Sequence, residues 1–172
     1  MAQNLELKIK LDSPELVESI LGKNKVQLSE LLKQKDIYYS IENGLLKLRV
    51  EGDKYYLIKY LRNESGTNRW SNYEIIQLTN GKVEKFLSDI FTVETTVTKT
   101  RKLYWLLNTR IHIDEVENLG NFLELETIVE GNQKDAKNRF DKVVELLNID
   151  LSRQIKCSYR DLLLEKMNND TH

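Results

Sequence analysis

Strict alternation of apolar and charged residues is the feature of this sequence that most limits its fold. The stretch 4–11 reads NLELKIKL, in which leucine and isoleucine residues alternate with Asn4, Glu6, Lys8 and Lys10. A β-strand places successive side chains on opposite faces, so this pattern predicts a strand with one apolar and one charged face. The charged face is either solvated or turned towards a ligand.

Four later stretches repeat this division into an apolar and an ionic face, and three of them carry a single sign of charge. The same-face pairs are Lys47 with Arg49, Lys99 with Arg101, and Glu124 with Glu126. Like charges on one face of a strand repel, and solvated strands therefore usually mix signs. The pattern indicates a bound ligand that compensates the charge. It also predicts that the change Lys8→Ala leaves the unliganded protein as stable as before, or more stable.

Whole-chain properties limit the class of protein. With 172 residues and 40% hydrophobic content, the chain suits one domain, which we place at residues 1–167, followed by a disordered tail at 168–172. A net charge of −1 argues against nucleic-acid binding through a global basic field. No apolar run approaches the ~20 residues that span a bilayer. With Cys157 as the single cysteine, a cytoplasmic location without a membrane partner is the expectation.

The local signals predict an α+β fold with about eight strands, paired by hairpins, and four helices. Pro14 begins the first helix and Gly22 ends it. Asn43-Gly44 predicts a hairpin, and Ser158 is the expected cap of the last helix. An open antiparallel sheet with solvated charges is one architecture that fits. A closed barrel is the other, because eight strands enclose room for one small ligand and the apolar faces can then pack beneath outer helices.

A closed barrel would have an ionic interior. Its predicted lining has eight cations and four carboxylates, which suits a polyphosphate with a divalent cation. Glu124 and Glu126 are the expected metal ligands, with Glu6 as a third. His112 is a general base or a hydrogen-bonded wall, and we favour the wall. The predicted lining is Glu6, Lys8, Lys10, Lys47, Arg49, Arg62, Lys99, Arg101, Arg110, Asp114, Glu124 and Glu126.

The motifs NLELKIKL, GLLKLRV, LIKYLR, TRIHIDEVENLGNFLELE and SYRDLL together resemble the CYTH superfamily and, within it, the class IV adenylate cyclase branch. The resemblance implies an eight-stranded antiparallel closed barrel, the triphosphate tunnel, with helices packed outside. It also implies a nucleoside or inorganic triphosphate bound inside with Mg²⁺ or Mn²⁺, and a homodimer.

Two positions depart from the pattern of the family. Asn4 stands where the opening motif has its first glutamate, while Glu6 and Lys8 match the rest of that motif. Ser158 precedes Tyr159 where the hydrolase branches tend to carry lysine, which favours the cyclase branch.

On this basis we expect an adenylate cyclase that forms cyclic AMP and pyrophosphate from ATP. Hydrolysis of inorganic triphosphate or thiamine triphosphate is the alternative, and a non-catalytic nucleotide-binding module is a third. The expected catalytic residues are Glu6, Lys8, Arg110 and Asp114. The expected substrate-binding residues are Lys8, Lys10, Lys47, Arg49, Arg62, Lys99, Arg101 and Arg110.

Overall fold

The computed structural model of the protein describes residues 2–62 and 69–170, apart from the side chain of Arg62. Within these ranges the chain forms eight strands and four α-helices. The strands are β1 (Ala2–Lys10), β2 (Leu28–Tyr39), β3 (Leu45–Glu51), β4 (Lys54–Arg62), β5 (Arg69–Leu78), β6 (Val93–Leu106), β7 (Thr109–Val116) and β8 (Gly120–Ile128). The helices are α1 (Pro14–Lys23), α2 (Val83–Ile90), α3 (Gln133–Leu146) and α4 (Tyr159–Asp170).

The strands close into an antiparallel barrel with the order β1-β5-β4-β3-β2-β6-β7-β8. The predicted fold class, an α+β fold built on a closed eight-stranded barrel with outer helices, is confirmed. β2 begins at Leu28 and pairs with β6 along almost its whole length. Helix α4 continues to Asp170, so residues 168–170, which the sequence assigned to a tail, are helical.

Two hairpins of the barrel turn at residues with positive φ, one of them at the predicted Asn43-Gly44. Gly44 has φ +83°, and a side chain there would place its Cβ 2.4 Å from the Tyr60 carbonyl oxygen. Leu107 and Asn108 both have positive φ, of 50° and 52°, between β6 and β7. A two-residue connection of this kind has the twist that joins two antiparallel strands tightly.

The apolar faces of the strands point outward and pack beneath the helices. Leu7 of β1, Ile111 of β7 and Leu125 of β8 are buried against Leu21 of α1 and Val143 of α3. Because side chains alternate, this packing turns the charged residues of the same strands into the barrel. Within the described ranges, no helix has both the length and the apolarity needed to cross a membrane.

Candidate functional site

The inner face of the barrel forms two adjoining pockets. The first, the basic pocket, is lined by Lys8, Lys47, Arg49, Arg69, Lys99 and Arg101, with Glu6, Glu124, Glu126, Tyr38, Tyr60, Ser158 and Tyr159. The second, the tyrosine pocket, is lined by Tyr60, Tyr73, Leu32, Ile58, Ile75 and Leu103, with Asn4, Gln34, Arg110 and His112. The two spaces meet at the side chains that line both pockets, which are Glu6, Arg49, Tyr60, Arg101 and Glu126.

One carboxylate of β2 gathers three cations at the side of the basic pocket. Asp36 is 1% exposed and accepts hydrogen bonds from Lys47 Nζ at 2.9 Å and Lys99 Nζ at 2.8 Å. Arg49 adds two more, from Nε at 2.7 Å and Nη2 at 2.8 Å. Burial raises the pKa of Asp36, but the three cations outweigh it and hold this pKa well below its usual range. We call these four residues the Asp36 cluster.

Asp36 compensates only part of the positive charge around the two lysines of its cluster. Burial lowers the pKa of Lys99 to about 7, against the opposing charge of Asp36. Burial and the charge of Arg49 lower the pKa of Lys47 to about 8. Both ammonium groups would therefore be stabilised by an anion that enters the pocket.

A second buried carboxylate, on β7, holds an arginine of the neighbouring strand β6. Asp114 is fully buried and receives two hydrogen bonds from Arg101, from Nε and Nη2, each at 2.6 Å. The hydroxyl of Tyr159 donates to the same carboxylate at 2.8 Å, which docks the start of α4 against the barrel wall. Asp114 thus fixes Arg101 rather than facing the pocket itself.

Lys8 of β1 is buried in the basic pocket. Its Nζ donates to the Cys157 carbonyl at 2.9 Å and lies 3.2 Å from Glu124 Oε1 and 4.1 Å from the centre of the Tyr159 ring. The expectation that repulsion dominates around Lys8 is wrong in this structure, because the register places the acid Glu124 opposite it. Charges that have one sign along a strand therefore have complementary partners across strands.

Three potential metal ligands lie together on β7 and β8. Donor atoms of His112, Glu124 and Glu126 lie within 4.8 Å of one another, and we call these residues the glutamate cluster. Burial raises the pKa of Glu126, but Arg110, with Nη2 2.9 Å from Oε2, and His112 bring it down to about 2. The cluster spans the junction of the pockets, because Glu124 lines the basic pocket and His112 lines the tyrosine pocket.

The glutamate cluster fits a divalent cation. Two ionised carboxylates offer the hard oxygen donors that Mg²⁺ and Mn²⁺ prefer, on a wall that also faces the cations of the basic pocket. The buried Nδ1 of His112 has no hydrogen-bond partner among the described residues. A metal that binds at this point would take up a donor atom that the barrel otherwise leaves unsatisfied.

Three expected site residues take a different place from the one predicted, and the side chain of a fourth is not described. Glu6 points inward, but it lies 3.6 Å from Arg69 Nε and is not part of the glutamate cluster. Lys10 shares the inward parity of β1 yet is exposed at the end of the strand. Arg110 lines the tyrosine pocket rather than the basic pocket. The side chain of Arg62 lies outside the described residues.

Sequence reasoning missed two charged residues of the site. Asp36 shares the inner face of β2 with Gln34 and Tyr38, and strict alternation would have found it once the strand was given its full length. Arg69 is buried at the start of β5, a position whose register the sequence does not give. The described lining has seven cations and three carboxylates, the same positive surplus as the predicted lining, and the buried carboxylates Asp36 and Asp114 behind it reduce that surplus.

Comparison with known proteins agrees with this geometry. The family model for the CYTH domain matches residues 2–159. The chain belongs to the CYTH family. This family binds triphosphate substrates and is metal-dependent, in agreement with a pocket that pairs an excess of cations with an acidic cluster.

Individual relatives are more distant. A protein of Methanocaldococcus jannaschii named "Putative adenylate cyclase" is 29% identical, with 92% of this chain and 97% of that protein covered. A protein structure from Pyrococcus horikoshii superposes with a TM-score of 0.81 at 21% identity, covering 92% of this chain and 98% of that one. A Hippeastrum protein, a "Putative adenylyl cyclase" with a dominant triphosphatase activity, superposes with a TM-score of 0.67 at 12% identity, covering 95% and 96%.

Proposed function

We propose that this protein is a metal-dependent enzyme that converts ATP to cyclic AMP and pyrophosphate. The basic pocket supports a triphosphate ligand, since it places Lys8, Lys47, Arg49, Lys99 and Arg101 around one space. Arginine and lysine side chains held in fixed positions are the usual ligands of phosphate oxygens. The fold has already brought these charges together, so they favour binding of an anion without further rearrangement.

The position of the glutamate cluster is the observation that favours cyclisation. The tyrosine pocket, with Tyr60, Tyr73 and several aliphatic side chains, suits a nucleoside, because aromatic rings and apolar walls bind a base. With the nucleoside there and the outer phosphates in the basic pocket, the α-phosphate lies at the junction that Glu126 lines. Cyclisation breaks the bond at this phosphate, whereas removal of the terminal phosphate does not.

The reaction follows from this placement. The ribose 3′-hydroxyl attacks the α-phosphorus, its proton passes to solvent, and the bond to the β-phosphate breaks to release pyrophosphate. Lys47, Arg49 and Lys99 stabilise the charge that develops on the leaving pyrophosphate, and Arg101 holds oxygens near the junction. A divalent ion, Mg²⁺ or Mn²⁺, held by Glu124 and Glu126 would neutralise phosphate charge.

Hydrolysis of a triphosphate is the second candidate. The basic pocket is a complete anion site without the tyrosine pocket, so inorganic triphosphate could bind in it with no nucleoside. The Hippeastrum protein with triphosphatase activity has the same fold. One feature counts against hydrolysis. The residue before Tyr159 is Ser158, whose hydroxyl donates to Asp161 at 2.7 Å, and not the lysine that hydrolase branches tend to carry.

One experiment separates these functions. The protein is incubated with ATP, inorganic triphosphate or thiamine triphosphate, each with Mg²⁺ or Mn²⁺, and the products are separated by chromatography. Cyclic AMP and pyrophosphate in equal amounts support the proposal. Orthophosphate from any of the three substrates, without cyclic AMP, supports the hydrolase. Binding of ATP without any product would identify a nucleotide-binding module.

A further inference from the structure

His112 lies beside Glu124 and Glu126 and has one unsatisfied ring nitrogen. The side chain is 4% exposed, and Nδ1 has no hydrogen-bond partner among the described residues. Buried polar side chains nearly always have a partner, and a histidine that served only as packing would be expected to satisfy both ring nitrogens. The unsatisfied nitrogen therefore points to a partner that enters from outside the chain.

The register between β7 and β8 places His112 next to both glutamates. His112 pairs directly with Glu124 across β7 and β8, and its neighbour pair is Arg110 with Glu126. Nδ1 lies 3.9 Å from Glu126 Oε1, too far for a hydrogen bond. The other oxygen of Glu126 contacts Arg110 at 2.9 Å, so Oε1 and Nδ1 face the same space.

The separations suit a shared metal ion. Ligand atoms bonded to one divalent ion at roughly 2.1 Å lie about 3 to 4 Å apart. The donor atoms of His112, Glu124 and Glu126 are all within 4.8 Å, so rotations of the glutamate side chains would complete the set. Asn4, by contrast, is committed elsewhere, because the amide orientation that satisfies both its atoms directs its oxygen to Arg110 Nη2 at 2.9 Å.

We propose that His112 Nδ1 is a direct ligand of the divalent ion held by Glu124 and Glu126, and that this nitrogen makes the site prefer Mn²⁺ to Mg²⁺. The inference rests on the metal dependence within the proposed function. Mg²⁺ selects oxygen donors, whereas imidazole favours transition-metal ions. A site with two carboxylates and one imidazole therefore prefers Mn²⁺ to Mg²⁺ more strongly than a site with oxygen ligands alone.

The direct test is pulsed electron paramagnetic resonance on the protein loaded with Mn²⁺ alone. Directly bound imidazole should give a hyperfine coupling to nitrogen, and labelling histidine with ¹⁵N should alter it. The change His112→Gln should abolish this coupling and weaken Mn²⁺ binding roughly 10-fold or more, with a much smaller effect on Mg²⁺. His172→Asn is the matched control, since His172 is the other histidine of the chain, and it should change neither quantity.

The outcomes separate this inference from the proposed reaction. Mn²⁺ bound to the wild-type protein without histidine nitrogen coupling would overturn the ligand assignment, whatever the turnover. This result does not depend on whether the His112→Gln protein folds. Histidine coupling in a protein that forms no cyclic AMP would support the ligand assignment and overturn the proposed reaction. Equal Mn²⁺ to Mg²⁺ preference in the wild type and in a folded His112→Gln protein would overturn the selectivity claim.

Discussion

The Asp36 cluster and the glutamate cluster lie in one barrel but have opposite charge arrangements. In the Asp36 cluster, one carboxylate faces three cations and the pKa of Lys99 falls to about 7. In the glutamate cluster, arginine and lysine side chains keep both carboxylates ionised, and the pKa of Glu126 falls to about 2. The first region has an excess of cations that an anion would stabilise, and the second has carboxylates ready for a cation. A metal-bound triphosphate contains both an anion and a cation, so it could complement both regions.

The largest expected effect comes from the glutamate cluster, where the metal cation would bind. We predict that Glu126→Gln lowers turnover by about 10²- to 10³-fold, because the carboxylate charge that would hold the metal is lost. The partner Arg110 is partly exposed, so the fold should persist with an unchanged circular dichroism spectrum. Glu124→Gln should lower turnover similarly. The exposed Glu130→Gln is the control, and wild-type turnover in both site variants would exclude these residues as metal ligands.

The next effect concerns the Asp36 cluster, where the triphosphate anion would bind. We predict that Asp36→Asn lowers the free energy of unfolding by about 3 kcal/mol, because three buried cations lose their counter-charge. Chemical denaturation measures this change. Asp141→Asn is the matched control on the surface of α3, where the ion pair with Lys137 contributes about 0.5 kcal/mol or less. If Asp36→Asn were as stable as the control, the Asp36 cluster would not be held by this carboxylate.

The lysines of the Asp36 cluster predict a dependence on pH. Their folded pKa values of about 7 and about 8 lie below the ordinary 10.5, so the unfolded chain binds more protons above pH 7. The stability of the unliganded protein should therefore rise with pH towards the ordinary lysine value. Triphosphate favours the charged lysines, so its binding at pH 8 should take up about one proton, and much less at pH 6. Calorimetry in buffers of different ionisation enthalpy measures this uptake, and its absence at pH 8 would contradict the assigned anion site.

The smallest effect separates two lysines of β1. Lys10 is exposed at the end of the strand, so Lys10→Ala should change triphosphate binding by about 0.5 kcal/mol or less. Lys8→Ala should weaken that binding more, and should also lower the stability of the unliganded protein, because Lys8 is paired with Glu124. Thermal melts with and without triphosphate compare the two variants. Equal effects of the two substitutions would mean that Lys8 is not in the site.

Alternation in the sequence predicted most of the fold and the inward faces. The faces of Lys47, Lys99 and Glu124 could be predicted because a strand has a strict period of two residues. The sequence could not predict which charges meet, because pairing depends on register between strands that are distant in the chain. The contact of Lys99 on β6 with Asp36 on β2 is of this kind, whereas Arg101 and Asp114 face each other across the β6–β7 hairpin.

The most direct test of the central claim is thermal unfolding with inorganic triphosphate. A ligand that binds only the folded state at 100 times its Kd adds about 2.7 kcal/mol of stability. For a domain of this size, that addition raises Tm by roughly 5 to 10 °C. We predict a rise of this size with millimolar triphosphate and Mn²⁺, and little rise with sodium sulfate at equal ionic strength. An unchanged Tm with triphosphate would contradict the claim that the inner face of the barrel is an anion site completed by a metal.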